Sequence, residues 1–120
     1  MGEAQYVKLE RIGKVMAAEV LREKITEHEN TPVFNELTIA AENSGFRLAV
    51  GLGQVGLLSS AGLGALINLH KFCAGKGGKL VIFGLQQQIF DLMKLTHLHK
   101  LLSIVDTRDE VTAVFAADAH

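Results

Sequence analysis

The stretch that decides the fold is residues 46–66, which read FRLAVGLGQVGLLSSAGLGAL. Its first five residues form a short apolar run without helical period, which is typical of a strand buried on both faces. A glycine-rich segment follows, and from Ser60 onward apolar residues recur at helical spacing. A buried strand, a loop and a helix in this order predict an α/β domain with a parallel sheet.

The same region is almost free of charge, and Leu48 to Leu69 approaches the length of a membrane span. Five glycines interrupt it, and in lipid a segment broken in this way would leave backbone groups unpaired. The composition therefore favours a soluble core and predicts no direct membrane insertion.

Two strands are predicted ahead of this stretch. Tyr6 to Ile12 alternates apolar and charged residues, and Val15 to Leu21 is a second apolar run. Gly13 and Lys14 between them form a two-residue turn of the Gly-X kind, so we expect an N-terminal β-hairpin.

A first helix is predicted between the hairpin and the buried strand. Thr31 is expected to cap it and Pro32 to occupy its first position, with Asn43 to Gly45 as the stop.

Downstream, helices and strands alternate again. The expected elements are a helix from Ser60 to Gly75 with an inward face of Leu63, Leu66, Ile67 and Ala74, a strand over 79–83, a helix over 86–95, a strand over 102–105, and a last helix opened by a Thr107–Glu110 capping box. We predict one domain over residues 1–120, with residues 1–5 as a loose N-terminus. Its sheet is mixed and largely parallel, with four to five strands and about four helices.

Composition narrows the function classes. The formal net charge is −1, acidic and basic residues are interspersed and tryptophan is absent, which argues against a nucleic-acid partner. Cys73 is the only cysteine, so an internal disulfide is impossible, and we expect a small buried side chain there. No signal peptide is recognisable at the N-terminus, and the expected location is the cytoplasm.

Three patterns suggest ligand sites but lack the required context. Residues 51–56 match GxGxxG without an immediate helix or a following acid, and residues 75–79 lack the spacing of a phosphate loop. His97 and His99 have no nearby thiolate or carboxylate to complete a metal site. We therefore predict no catalytic residue, no metal, no cofactor and no enzymatic activity.

Four segments carry a family resemblance. Leu57 to Leu66 resembles the signature loop and helix of STAS domains, and residues 77–85, 90–101 and 106–114 resemble the strand, helix and closing acidic helix that follow. The likeness covers about the last two thirds of the chain and points to bacterial anti-sigma factor antagonists.

The resemblance implies a switch. In such antagonists a serine at this helix start is phosphorylated by the partner, an anti-sigma factor that is also a serine kinase, and a metal-dependent serine phosphatase resets it. The matching position is Ser60, with Ser59 as the second choice. Gly51 and Ser59 stand where many members carry aspartates.

The partner-binding surface that the resemblance implies extends over three loops. Its residues are Gly53, Gln54, Leu57, Leu58, Ser59, Gly62, Leu63, Gly84 and Leu85. The alternative is a STAS subunit that is never phosphorylated and docks permanently in a larger complex, such as a lipid-transport ATPase.

Overall fold

The computed structural model describes residues 6–117, so the predicted loose segment 1–5 lies outside the described range. The strands are β1 (Val7–Ile12), β2 (Val15–Val20), β3 (Lys24–Ile25), β4 (Arg47–Gly51), β5 (Leu57–Leu58), β6 (Lys79–Phe83) and β7 (Ser103–Val105). The helices are α1 (Glu27–Asn43), α2 (Ser60–Gly75), α3 (Gln87–Leu95), α4 (Leu98–Leu101) and α5 (Arg108–Ala117).

Five strands form the main sheet, in the order β1-β2-β4-β6-β7. β1 and β2 are the antiparallel hairpin, and every other neighbouring pair is parallel. The predicted class, a largely parallel α/β sheet with the hairpin at one end, is confirmed. The described chain has five helices where about four were predicted, because the single turn α4 shows no periodicity in the sequence.

A second, two-stranded sheet was not predicted. β3 and β5 pair in parallel, with Lys24 beside Leu57 and Ile25 beside Leu58. Strands of two residues are too short to show an alternating pattern, and only the folded chain brings them together.

The predicted start of α1 is wrong. The helix begins at Glu27, and Pro32 lies inside it. The Thr26 N–H donates to the Glu29 carboxylate at 3.0 Å, and the Thr26 hydroxyl donates to the same carboxylate. This Thr-x-x-Glu pair is a capping box, which supplies hydrogen-bond partners at the helix start, so the helix begins five residues before the proline.

The helices cover the two faces of the sheet unequally. α1, α2 and α3 pack on one face around Leu48, Val50 and Ile82, while α5 lies on the other face against Ala49 and Val81. On α2 the buried stripe is Gly62, Leu66, Leu69 and Cys73. The prediction for Cys73 is confirmed, whereas Ala74, predicted to face inward, is exposed.

Candidate functional site

The loops that follow β2, β4 and β6 meet at one edge of the sheet, where the parallel strands end. The Leu52 N–H donates to the Phe83 carbonyl at 3.1 Å. On the other side, the N–H groups of Gly56 and Leu57 donate to the Glu23 carbonyl, at 2.8 and 3.2 Å. The glycine-rich loop between β4 and α2 is therefore held by backbone bonds to both of its neighbours.

Two glycines allow the loops after β4 and β6 to touch. A Cβ atom on Gly53 would lie 3.5 Å from the Gly84 carbonyl oxygen, and Gly84 has a φ of +73°, which favours glycine. The Gln86 side-chain amide donates to the Gly53 carbonyl at 2.9 Å and ties the start of α3 to this loop. The structure thus brings the predicted residues Gly53 and Gly84 together.

The two serines at the start of α2 have different roles. Ser59 is the N-cap, and its hydroxyl accepts a hydrogen bond from the Gly62 N–H at 3.1 Å. Ser60 is the first helical residue and is exposed, and no hydrogen bond found within residues 6–117 involves its hydroxyl. One hydroxyl therefore holds the helix end while the other faces solvent.

The predicted binding residues divide by exposure. Gly53, Gln54 and Leu57 are exposed, with half of Leu57 (50%) open to solvent. Ser59, Leu63, Gly84 and Leu85 are half-buried.

Leu58 and Gly62 are buried against each other. A Cβ atom at Gly62 would lie 2.5 Å from a Leu58 methyl carbon, so the glycine lets α2 approach β5 closely. Both residues position the loop, and a direct contact of either with a partner stays a prediction.

Neither Gly51 nor Ser59 brings a carboxylate to the site. Gly51 lies at the end of β4, and a Cβ atom there would lie 2.8 Å from the Phe83 ring, so the aromatic ring occupies the space of a side chain. Next to the glycine loop, an open hollow of about 340 Å³ is lined by Glu23, Lys24, Gln54, Gly56, Leu57 and Gln86.

Sequence reasoning missed Glu23, Lys24 and Gln86. No sequence signal could have found the first two, because they reach the site through the β3–β5 pairing. Gln86 directly follows the predicted Leu85, and its proximity was available from the sequence.

Other ligand chemistries find little support. Within the described part of the chain, no group of three or more His, Cys, Asp or Glu residues is placed to hold a metal ion. Residues 51–56 lead into β5 instead of a helix, in agreement with the prediction that this GxGxxG is not a nucleotide fingerprint. None of the described helices is both long and apolar enough to cross a membrane.

Comparison with models of known protein families shows which family the chain belongs to. The family model of the STAS domain matches residues 15–111, which is most of the chain. The chain belongs to the STAS family. The predicted resemblance is confirmed, and it extends further upstream than the motif-level match, to the second strand of the hairpin.

A relative of similar sequence indicates which STAS proteins this chain resembles. The Anti-sigma-B factor antagonist of Listeria monocytogenes is 28% identical over 75 residues, which cover 62% of this chain and 66% of that protein. The match thus spans just under two thirds of the relative's length. Such antagonists are regulatory binding proteins, which agrees with the prediction that this STAS chain is not an enzyme.

Solved structures share the fold. An anti-sigma-factor antagonist (STAS) domain protein from Planctomyces limnophilus superposes with a TM-score of 0.82 at 14% identity, covering 92% of this chain and 97% of that one. The Bacillus cell fate determinant SpoIIAA in its phosphorylated form gives 0.65 at 10% identity, covering 90% and 98%.

Proposed function

We propose that this STAS domain acts as an anti-sigma factor antagonist whose affinity for its partner is switched by phosphorylation of Ser60. The proposed partner is an anti-sigma factor with serine kinase activity, and a metal-dependent serine phosphatase reverses the modification. The proposed location is the cytoplasm. The family and the antagonist relatives support the class of function, and the geometry at α2 supports the residue.

The observation that carries the proposal is that Ser59 caps α2 while the Ser60 hydroxyl is exposed. A kinase needs a hydroxyl that it can reach, and Ser60 is exposed with no hydrogen-bond partner among residues 6–117. Ser59 is the weaker candidate because its hydroxyl accepts the Gly62 N–H, and a phosphate there would disturb the cap.

A phosphate at Ser60 is compatible with the fold. It adds nearly two negative charges at the first position of α2, where free backbone N–H groups and the helix dipole favour an anion. A partner surface built against a neutral hydroxyl would instead bury that charge unpaired. Binding should weaken by orders of magnitude while the domain stays folded.

The lack of acidic residues in the first turn of α2 sharpens this contrast. Gly51 and Ser59 contribute no carboxylate, so the phosphate would be the first negative charge at the start of α2. Because a like charge is not already present there, the two states differ more in surface potential than they would beside an aspartate.

The decisive experiment is intact-mass analysis of the protein purified from its own cells, with peptide mapping of the modified site. We expect the mass of one phosphate on Ser60, and its loss in Ser60→Ala. Ser59→Ala is the matched control, because it removes the neighbouring hydroxyl and the cap, which costs about 0.5–2 kcal/mol, and leaves the acceptor in place.

The possible results distinguish a phosphorylation switch from a permanently docked structural subunit. Phosphate at Ser60 in wild type and in Ser59→Ala supports the switch. Phosphate only at Ser59, or none under growth and stress, contradicts it and favours the permanently docked structural subunit. In that case Ser60→Ala should leave co-purification with the partner complex unchanged.

A further inference from the structure

A second surface lies on the side of the sheet, along β1. Within residues 6–117, β1 is an edge strand, and β2 is its one neighbour in the main sheet. Two large apolar side chains, Leu9 on β1 and Ile39 on α1, are exposed, at 47% and 54%. Ile39 lies one helical turn after Glu36, whose carboxylate accepts the Val7 N–H at 3.0 Å, so α1 borders the same edge.

The hydrogen bonds of the hairpin define which backbone groups of β1 point outward. The Leu21 N–H donates to the Tyr6 carbonyl, so Tyr6 faces β2, and in an antiparallel pair the bonded residues alternate. Lys8, Glu10 and Ile12 therefore also bond toward β2. Val7, Leu9 and Arg11 direct their backbone groups away from the sheet, with Glu36 already covering the start of this row.

We propose that β1 pairs antiparallel with β1 of a second copy of this chain, with Leu9 opposite Leu9 at a two-fold axis. The two sheets then form one continuous sheet, and a contact of this kind between identical strands is self-complementary. The inference is independent of the proposed function, because β1 contributes no residue to the hollow beside the glycine loop and the start of α2.

Charge selects this register from the possible ones. With Leu9 opposite Leu9, Lys8 of each protomer faces Glu10 of the other, and opposite charges across strands are favourable. Leu9 opposite Val7 would instead place Lys8 against Lys8. Leu9 opposite Arg11 would place Glu10 against Glu10, and Arg11 opposite Arg11 would juxtapose two cations.

The neighbouring side chains fit the same register. Arg11 of one protomer comes to lie opposite Val7 of the other, whose N–H keeps its bond to the Glu36 carboxylate, so the backbone bonds between the two copies centre on the Leu9 pair. Glu10 is 2.6 Å from the Arg108 guanidinium in the described chain, and the partner's Lys8 would add a second cation to this carboxylate. Leu9, left half exposed in the single chain, gains an apolar neighbour at the two-fold axis.

The first test uses charge reversal on the full chain, measured by light scattering and sedimentation over a concentration series. We expect the wild type to dimerise reversibly and Lys8→Glu and Glu10→Lys each to weaken the dimer about tenfold or more, because each creates two like-charge pairs. The double variant K8E/E10K restores opposite pairs and should dimerise again. A mixture of the two single variants should form a heterodimer.

Arg108→Gln is the matched control, because it removes the ion pair of Glu10 within the chain but keeps the Lys8–Glu10 pairing between copies. It should dimerise like the wild type, and circular dichroism checks that every variant is folded. A wild type that stays monomeric up to its solubility limit overturns the proposal. A dimer that survives both single reversals also overturns it, since another surface must then hold it.

A second test fixes the register. Opposing bonded residues have Cα atoms about 5.5 Å apart, within disulfide range, so Leu9→Cys should cross-link two chains on mild oxidation. Arg11→Cys should not, because the two positions would be about 14 Å apart along the strands. Buried Cys73 in the wild type controls for the native thiol. Cross-linking through Arg11→Cys and not Leu9→Cys would contradict the register.

Discussion

The two faces of the central sheet are packed very differently. On one face, three helices bury a large apolar cluster that includes Leu48, Val50 and Ile82. On the other, α5 alone covers Val15, Ala49 and Val81, packing its own Val111 against them, with partly buried aromatic rings at the margin. Because three helices hold the first face, side chains there have little room to adjust, whereas α5 can move toward the sheet as a single element.

A matched pair of valines tests this difference, and it carries the largest expected effect. Val50 and Val81 lie on neighbouring central strands, and both are fully buried, but they face opposite sides of the sheet. We expect Val50→Ala to lower the free energy of unfolding by about 2–3 kcal/mol and Val81→Ala by about 1–2 kcal/mol, because the cavity under α5 can collapse further. Urea denaturation of both variants provides the comparison. Equal losses would show that the two faces are equally rigid.

An intermediate loss of stability is expected at Gly51, which lies at the end of β4 on the face that α5 covers. Gly51→Ala places a Cβ atom 2.8 Å from the Phe83 ring, so we expect a loss of about 1–3 kcal/mol from overpacking. Phe83→Leu should relieve it, and a double-mutant cycle should give a coupling of about 0.5–3 kcal/mol. Strictly additive losses in thermal or urea unfolding would mean that the ring moves aside freely.

The smallest effect concerns the two capping boxes, one opening a helix on each face. The hydrogen bond from the Thr26 side chain lowers the pKa of Glu29, and the backbone hydrogen bond from Thr107 lowers the pKa of Glu110, both from an ordinary value of 4.5. Since the folded-state pKa values are depressed, the stabilisation is present above pH 4.5 and is lost as the pH falls through the lowered values.

Glu29→Gln and Glu110→Gln should each reduce the drop in melting temperature between pH 5 and acid conditions.

Hydrogen exchange of backbone amides should show a difference in stability between the two faces of the sheet. Acid should expose the amides of α5 before those of the main cluster, because one helix on a thin face can open locally. Simultaneous exposure of α1 and α5 amides would contradict the unequal packing.

Local patterns predicted much of this fold. The alternation in residues 6–12, the apolar run before Gly51 and the capping pair Thr107–Glu110 all gave elements close to those observed. Each depends on neighbours within a few residues, which is where sequence is most informative. The start of α1 was predicted wrongly for the same kind of reason, because Thr26 and Glu29 carry a capping signature that was overlooked in favour of Pro32.

The sequence by itself determined the fold class, the hairpin and the family signature around Ser60. Only the tertiary structure decided that Ser59 is the cap and Ser60 the exposed hydroxyl, because this depends on which N–H groups the helix end leaves open. It also placed Lys24 beside Leu57 and put β1 at an edge of the main sheet. These features arise from pairing between distant segments, which short-range periodicity does not encode.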